Sequence, residues 1–171
     1  MPLVIKTAAD IAEPEGESRW AARRAAREAP VLRAVLRRFA DAGGPVSAAD
    51  LGAALPAMAP DEVTRALAAL DADDLVVLRG EAIELAYPFS TAPTGFVVRW
   101  GGVERFICCA IDALGMAPML GEPVEVLASC HRSGAPLRFA VTPDGPTPAA
   151  AGLMVWVTPA GGGEDRACTG L

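Results

Sequence analysis

Apolar residues recur at helical spacing through the first half of the chain. Val31, Leu32, Val35, Leu36 and Phe39 share one face and predict a helix over Val31–Asp41, opened by Pro30. Gly43-Gly44-Pro45 should end it. Ser47 is a candidate N-cap for a short helix from Ala48 to Leu55. Pro60 starts another over Asp61–Asp71, with Val63, Leu67 and Leu70 as its apolar stripe. Asp61 and Glu62 suit the positive end of that helix dipole. A loose leader over residues 1–18 precedes them. It is followed by an Ala- and Arg-rich stretch, Ser18 to Glu28, built from good helix formers.

The period then changes. Two apolar runs within residues 75–87 flank Arg79-Gly80-Glu81 and predict a β-hairpin. Three helices followed by a hairpin form a winged-helix pattern. Beyond Tyr87, short strands are predicted over 96–100 and 103–106 around the Gly101-Gly102 turn. ICCAIDALG opens a helix expected to stop near Gly115 and Pro118. Further strands are expected over 123–129, 137–142 and 153–159, with a turn at 131–136. The fold class is α+β: an N-terminal winged-helix-like helical segment, then a short-stranded, mostly antiparallel sheet region around a central helix. Three parts are expected: a leader and Arg-rich helix (1–29), a winged-helix-like subdomain (30–87) and an α+β catalytic subdomain (88–171).

Composition narrows the class. A chain of 171 residues is one domain, or two small ones sharing a core. At 52% hydrophobic it is too apolar to be wholly disordered. No apolar run reaches the roughly 18 residues of a membrane helix. The opening MPLVIKTAADIAEPEGES lacks a secretory layout, so a cytoplasmic location is expected. The formal charge is -6, yet residues 19–38 hold seven arginines against Glu28 alone. An acidic body with one basic segment argues against broad nucleic-acid binding, which neutralises phosphates. The helix over 61–71 offers Arg65 beside Asp61, Glu62 and Asp71, a poor match to a DNA groove. Without a CxxC pair, and with His131 as the single histidine, a four-ligand structural zinc site is not expected.

The informative constellation is Cys109-Ala110-Ile111-Asp112. Helical positions i and i+3 share a face, so a thiol and a carboxylate are presented together. The thiol should lie in the first turn, where the helix dipole favours a thiolate. The carboxylate can pass a proton to whatever the sulfur holds. Thiolates select soft metal ions. The bland alternative is a small buried cysteine and an ordinary helix-capping acid. Cys108 points about 100° away from Cys109, so it is expected to be buried and to leave the pairing to Cys109. His131 is read as a turn-surface residue.

The stretch from Ala86 to Pro136 resembles the alkylmercury lyase (organomercurial lyase) family. AYPFSTAPT (86–94), FVV (96–98), CCAIDALGMAPMLG (108–121) and SCHRSGAP (129–136) carry the resemblance. It implies protonolysis of a carbon–mercury bond, giving a hydrocarbon and Hg(II). By the same resemblance, Cys109 is the first catalytic cysteine, Asp112 the catalytic acid and Cys130 a structural cysteine. Cys168 sits where a second catalytic cysteine is expected. Cys109, Cys168 and Asp112 would contact the metal. Asp112 needs a raised pKa, or a proton relayed from a thiol; burial against Ile111, Leu114 and Met116 is one expected source. No cofactor is implied. The expected partners are a small organomercurial or soft metal ion and cellular thiols, with no membrane and no nucleic acid. The family pattern continues past the point corresponding to Cys168, whereas this chain ends at Leu171. A soft-metal binding or sensing homologue without turnover is the alternative, and a winged-helix regulator comes third.

Overall fold

A computed structural model describes residues 4–7 and 28–156. The first described helix, α1, spans Ala29–Ala42 and buries Val31, Val35 and Phe39. Strand β1 (Val46–Ser47) leads into α2 (Ala48–Leu51). Ser47 caps α2 in a reciprocal box: the Asp50 amide donates to its hydroxyl at 3.3 Å, and its own amide donates to the Asp50 carboxylate at 2.7 Å. The expected helix to Leu55 tightens into a 3-10 turn over Gly52–Ala54. Helix α3 (Pro60–Ala72) buries Val63, Ala66, Leu67 and Leu70. Hairpin β2 (Val76–Arg79) and β3 (Ala82–Ala86) turns at Gly80-Glu81, with Gly80 at φ 62.

Strands β4 (Phe89–Ser90), β5 (Phe96–Trp100) and β6 (Val103–Ile107) follow, then helix α4 (Ala110–Leu120). Strands β7 (Val124–Ser129), β8 (Pro136–Thr142) and β9 (Gly145–Pro146) complete the sheet. Its order is β1-β3-β4-β6-β5-β7-β8-β9, with β2 on the other edge of β3. Each of these pairings is antiparallel. The described residues are α+β, as expected. No helix among them is long and apolar enough to cross a membrane.

One core runs under the sheet. Val35 and Phe39 of α1 meet Ile83 and Phe89, and Val98, Val126 and Val141 continue it beneath α4 through Met116 and Ala117. Phe39 and Phe89 stack with ring centroids 6.1 Å apart. Arg105 joins the two ends: its guanidinium donates to the carbonyls of Phe39 (3.0 Å), Ala40 (3.2 Å) and Asp41 (2.8 Å) at the α1 C-terminus, where Phe39 also accepts the Gly43 amide. On the outer face Glu104, Arg99, Glu125 and Arg138 alternate in sign across β6, β5, β7 and β8.

Two expectations are corrected. Helix α4 does not stop near Gly115 or Pro118 but runs through both to Leu120. Gly115 costs only about 1 kcal/mol against alanine. Pro118 is exposed and sits in the last turn, where few helical bonds remain for it to break. Gly121, left-handed at φ 75, closes the helix with its amide on the Ala117 carbonyl at 2.9 Å. The second correction concerns the strand over 153–159. Residues 153–156 form no strand; the strand that pairs with the outer edge of β8 is β9, at Val141 and Thr142. Residues 157–159 lie outside the described residues, as do most of the leader and the Arg-rich helix.

Candidate thiol–carboxyl site

Strand β6 delivers the chain to α4 through Cys108 and Cys109. Cys108 is 5% exposed, its amide donates to the Pro88 carbonyl at 2.9 Å, and its thiol lies 3.6 Å from the Phe89 carbonyl. It is buried, as expected, although both cysteines precede the helix and the helical offset of about 100° is not what separates them. Cys109 is extended (φ -149, ψ 176) and stands one residue ahead of the helix, as its N-cap. The expectation of a first-turn position is therefore corrected. The Asp112 amide donates to the Cys109 sulfur at 3.4 Å, and the Cys109 thiol donates to Asp112 Oδ2 at 3.1 Å. Sulfur thus takes the place that a serine or aspartate oxygen ordinarily fills in a capping box. The cap thus brings thiol and carboxyl into hydrogen-bond contact.

The electrostatics run against the expected thiolate. Cys109 is pushed up from its ordinary 9.0 to about 11. Burial is the main cause, and the negative Asp112 carboxylate, which accepts the thiol proton, adds to it. The cap amides pull the other way and lose. Asp112 is itself raised above its ordinary 3.8 by burial, although the bonds from Cys109 oppose the rise. The three residues expected to supply that burial are themselves unequally covered. Met116 is buried and Leu114 half-buried, but Ile111 is 51% exposed and shields little. At neutral pH Cys109 is a neutral thiol that donates to the Asp112 carboxyl group. One proton sits between two atoms that both hold it more tightly than they would in water.

The other candidates are placed as follows. Cys130 is half-buried at the start of the β7–β8 turn, its amide on the Ala135 carbonyl and its carbonyl on the Gly134 amide, each at 2.8 Å. The Ser133 hydroxyl and the turn amides hold its thiol below the usual range. His131 is exposed in that turn. Cys168 lies outside the described residues, so the distances from Cys109 and Asp112 to it are not part of this geometry. Among the described residues no group of three or more His, Cys, Asp or Glu could hold a metal; Cys109 and Asp112 supply two donors. Sequence reasoning missed Thr94. Its hydroxyl lies 2.7 Å from the Ile107 carbonyl, two residues before Cys109, and a threonine in a loop gave no signal of that contact.

An antiparallel α+β scaffold that caps its central helix with cysteine, and returns the N3 carboxyl to that sulfur, defines a protein with a protonated thiol–acid pair. Residues 89–170 match the alkylmercury lyase family. An alkylmercury lyase of Streptomyces lividans is 35% identical over 85 residues, covering 50% of this chain and 38% of the relative. One from Staphylococcus epidermidis is 26% identical over 116 residues, covering 67% and 50%. The chain thus spans half or less of the length of these curated relatives. The crystal structure of the mercury-bound form of MerB2 shares the fold with a TM-score of 0.67 at 22% identity, covering 79% of this chain and 66% of that one. Residues 89–170 are thus similar to the alkylmercury lyase family, and the wider chain shares the fold of that solved structure.

Proposed function

We propose that the protein cleaves carbon–mercury bonds by protonolysis, with Cys109 as mercury ligand, Asp112 as proton carrier and Cys168 as second sulfur. The observation that carries the reading is the 3.1 Å thiol-to-carboxylate hydrogen bond. The substrate reaches the site as R–Hg–SR′, with a small cellular thiol on mercury. As mercury binds the Cys109 sulfur, the thiol proton passes along that hydrogen bond to Asp112, and R′S⁻ leaves. The Cys168 thiol then adds to mercury, and its proton neutralises R′S⁻ through solvent. Electron density at carbon rises, Asp112 delivers its proton, and the C–Hg electron pair becomes the new C–H bond. Hydrocarbon and R′SH are released, and Hg(II) remains on two thiolates. Proton balance needs no oxidant and no resident cofactor. The raised affinity of Asp112 for its proton suits a carrier that must hold it until carbon becomes basic.

The finer architecture belongs to the same reading. Helices α1 to α3 with the β2–β3 hairpin form a winged-helix-like subdomain, residues 30–87, used for structure rather than for DNA. Residues 88–171 carry the chemistry. The protein works in the cytoplasm, where thiols are plentiful. Phenylmercury given to the full chain with excess small thiol tests the function. Benzene release, abolished by Asp112→Asn, is the expected result. Tight mercury binding without benzene would mean a soft-metal binding protein instead.

A further inference from the structure

We propose that Thr94 is a positioning residue for the Cys109–Asp112 pair: its hydroxyl, wedged between the ends of β5 and β6, sets the path by which the chain leaves the sheet and enters α4. The inference rests on the reading of that pair as the reacting groups. The β5–β6 ladder ends at Val97↔Phe106. One step further, an ordinary antiparallel pair would run directly from the Phe96 amide to the Ile107 carbonyl. Here the Phe96 amide donates to Thr94 Oγ1 at 3.2 Å, and the same oxygen lies 2.7 Å from the Ile107 carbonyl and 2.8 Å from the Phe96 carbonyl. A hydroxyl has one proton, so it serves one carbonyl at a time. Its shorter reach is to Ile107. The hydroxyl oxygen thus stands in the ladder where a direct strand-to-strand bond would run.

The other side of β6 is held independently. Ile107 pairs with Phe89 of β4, and the Cys108 amide donates to the Pro88 carbonyl at 2.9 Å. Residues 107 and 108 are thus clamped from both flanks, and the next residue is the cap, Cys109. Ile107 is fully buried and Cys108 nearly so, which leaves the clamp little room to relax. If the Thr94 hydroxyl is lost, Ile107 moves and the error passes through two peptide units to the Cys109 sulfur.

The test compares the full chain with Thr94→Val and Thr94→Ser. Alkylation of Cys109 by iodoacetamide at one fixed pH is read by fragment-ion mass spectrometry, with Cys130 of the same molecules as internal standard. Thr94→Val is expected to change the Cys109-to-Cys130 rate ratio by about fivefold or more, and Thr94→Ser to keep it within about twofold of wild type. If the protein releases hydrocarbon, Thr94→Val should also lower kcat more than it changes KM. A folded Thr94→Val protein with an unaltered ratio would overturn the proposal, as would a serine variant that behaves like valine. Should the valine variant not fold, Thr94→Ala is read by the same criteria, and hydrogen exchange of the Phe96 amide is measured in the wild-type chain. Protection is expected there; exchange at the rate of an open loop would also end the argument. Failure of the lyase reading shows separately, as absence of hydrocarbon from wild type.

Discussion

Replacing Asp112 by asparagine should make Cys109 more acidic. The carboxylate raises the thiol pKa twice, by its charge and by accepting the S–H, and asparagine abolishes the charge. Burial, the largest cause, stays, so the pKa should fall from about 11 without reaching the ordinary 9.0. At pH 8 a thiol of pKa about 11 is ionised to about one part in a thousand, against about one in ten at 9.0. The higher pKa returns part of that loss as nucleophilicity, at about 0.4–0.5 log units per unit of pKa. Wild-type Cys109 should therefore alkylate about tenfold slower than an ordinary thiol at pH 8. Asp112→Asn should recover several-fold of that. The assay is the iodoacetamide rate at Cys109 across pH 7 to 12, resolved from Cys108 and Cys130 by fragment ions. A midpoint in Asp112→Asn at or above wild type, or a wild-type midpoint at or below 9, would refute the reasoning. The same shift ties stability to pH. The folded chain binds this proton more tightly than the unfolded one. The stabilisation is therefore complete below the ordinary 9.0 and is lost as pH climbs through about 11, in a window that Asp112→Asn should narrow.

Cys109→Ser should remove both soft-metal binding and cleavage, and Cys108→Ser should leave both nearly intact because its sulfur faces the core; equal losses in titration and turnover would overturn the register. Arg105→Met should cost about 2 kcal/mol in urea unfolding, since three carbonyls at the end of α1 lose a charged donor but some can be rehydrated. Gly44→Ala should destabilise by about 1–3 kcal/mol or more. An added Cβ there would press on Thr91 Cγ2 and lie 2.5 Å from Phe39 Cε1, and a melting temperature within a degree of wild type would contradict that packing.

Local pattern was enough for the elements whose signals are local. The apolar faces of α1 and α3, the Gly80 hairpin and the alternation in β7 and β8 each follow from side chains a few residues apart. So does the meeting of Cys109 with Asp112, because a cap and its N3 residue are joined through one helical turn. Local pattern misjudged the end of α4. Whether Gly115 and Pro118 break a helix depends on what its other residues gain by packing, and Ala113, Met116 and Ala117 are buried in the core. It also placed a strand over 153–159, of which the described residues 153–156 form none. The protonation of Cys109 was beyond reach in the same way: helix-end amides argue for a thiolate, and only the burial of the folded site lets the neutral thiol win. Thr94, thirteen residues from Ile107, meets it across the ends of two strands, and a sequence does not state which strand ends adjoin. Chain neighbours determine which groups can meet, whereas solvent exclusion and strand pairing determine what charge those groups carry and where they point.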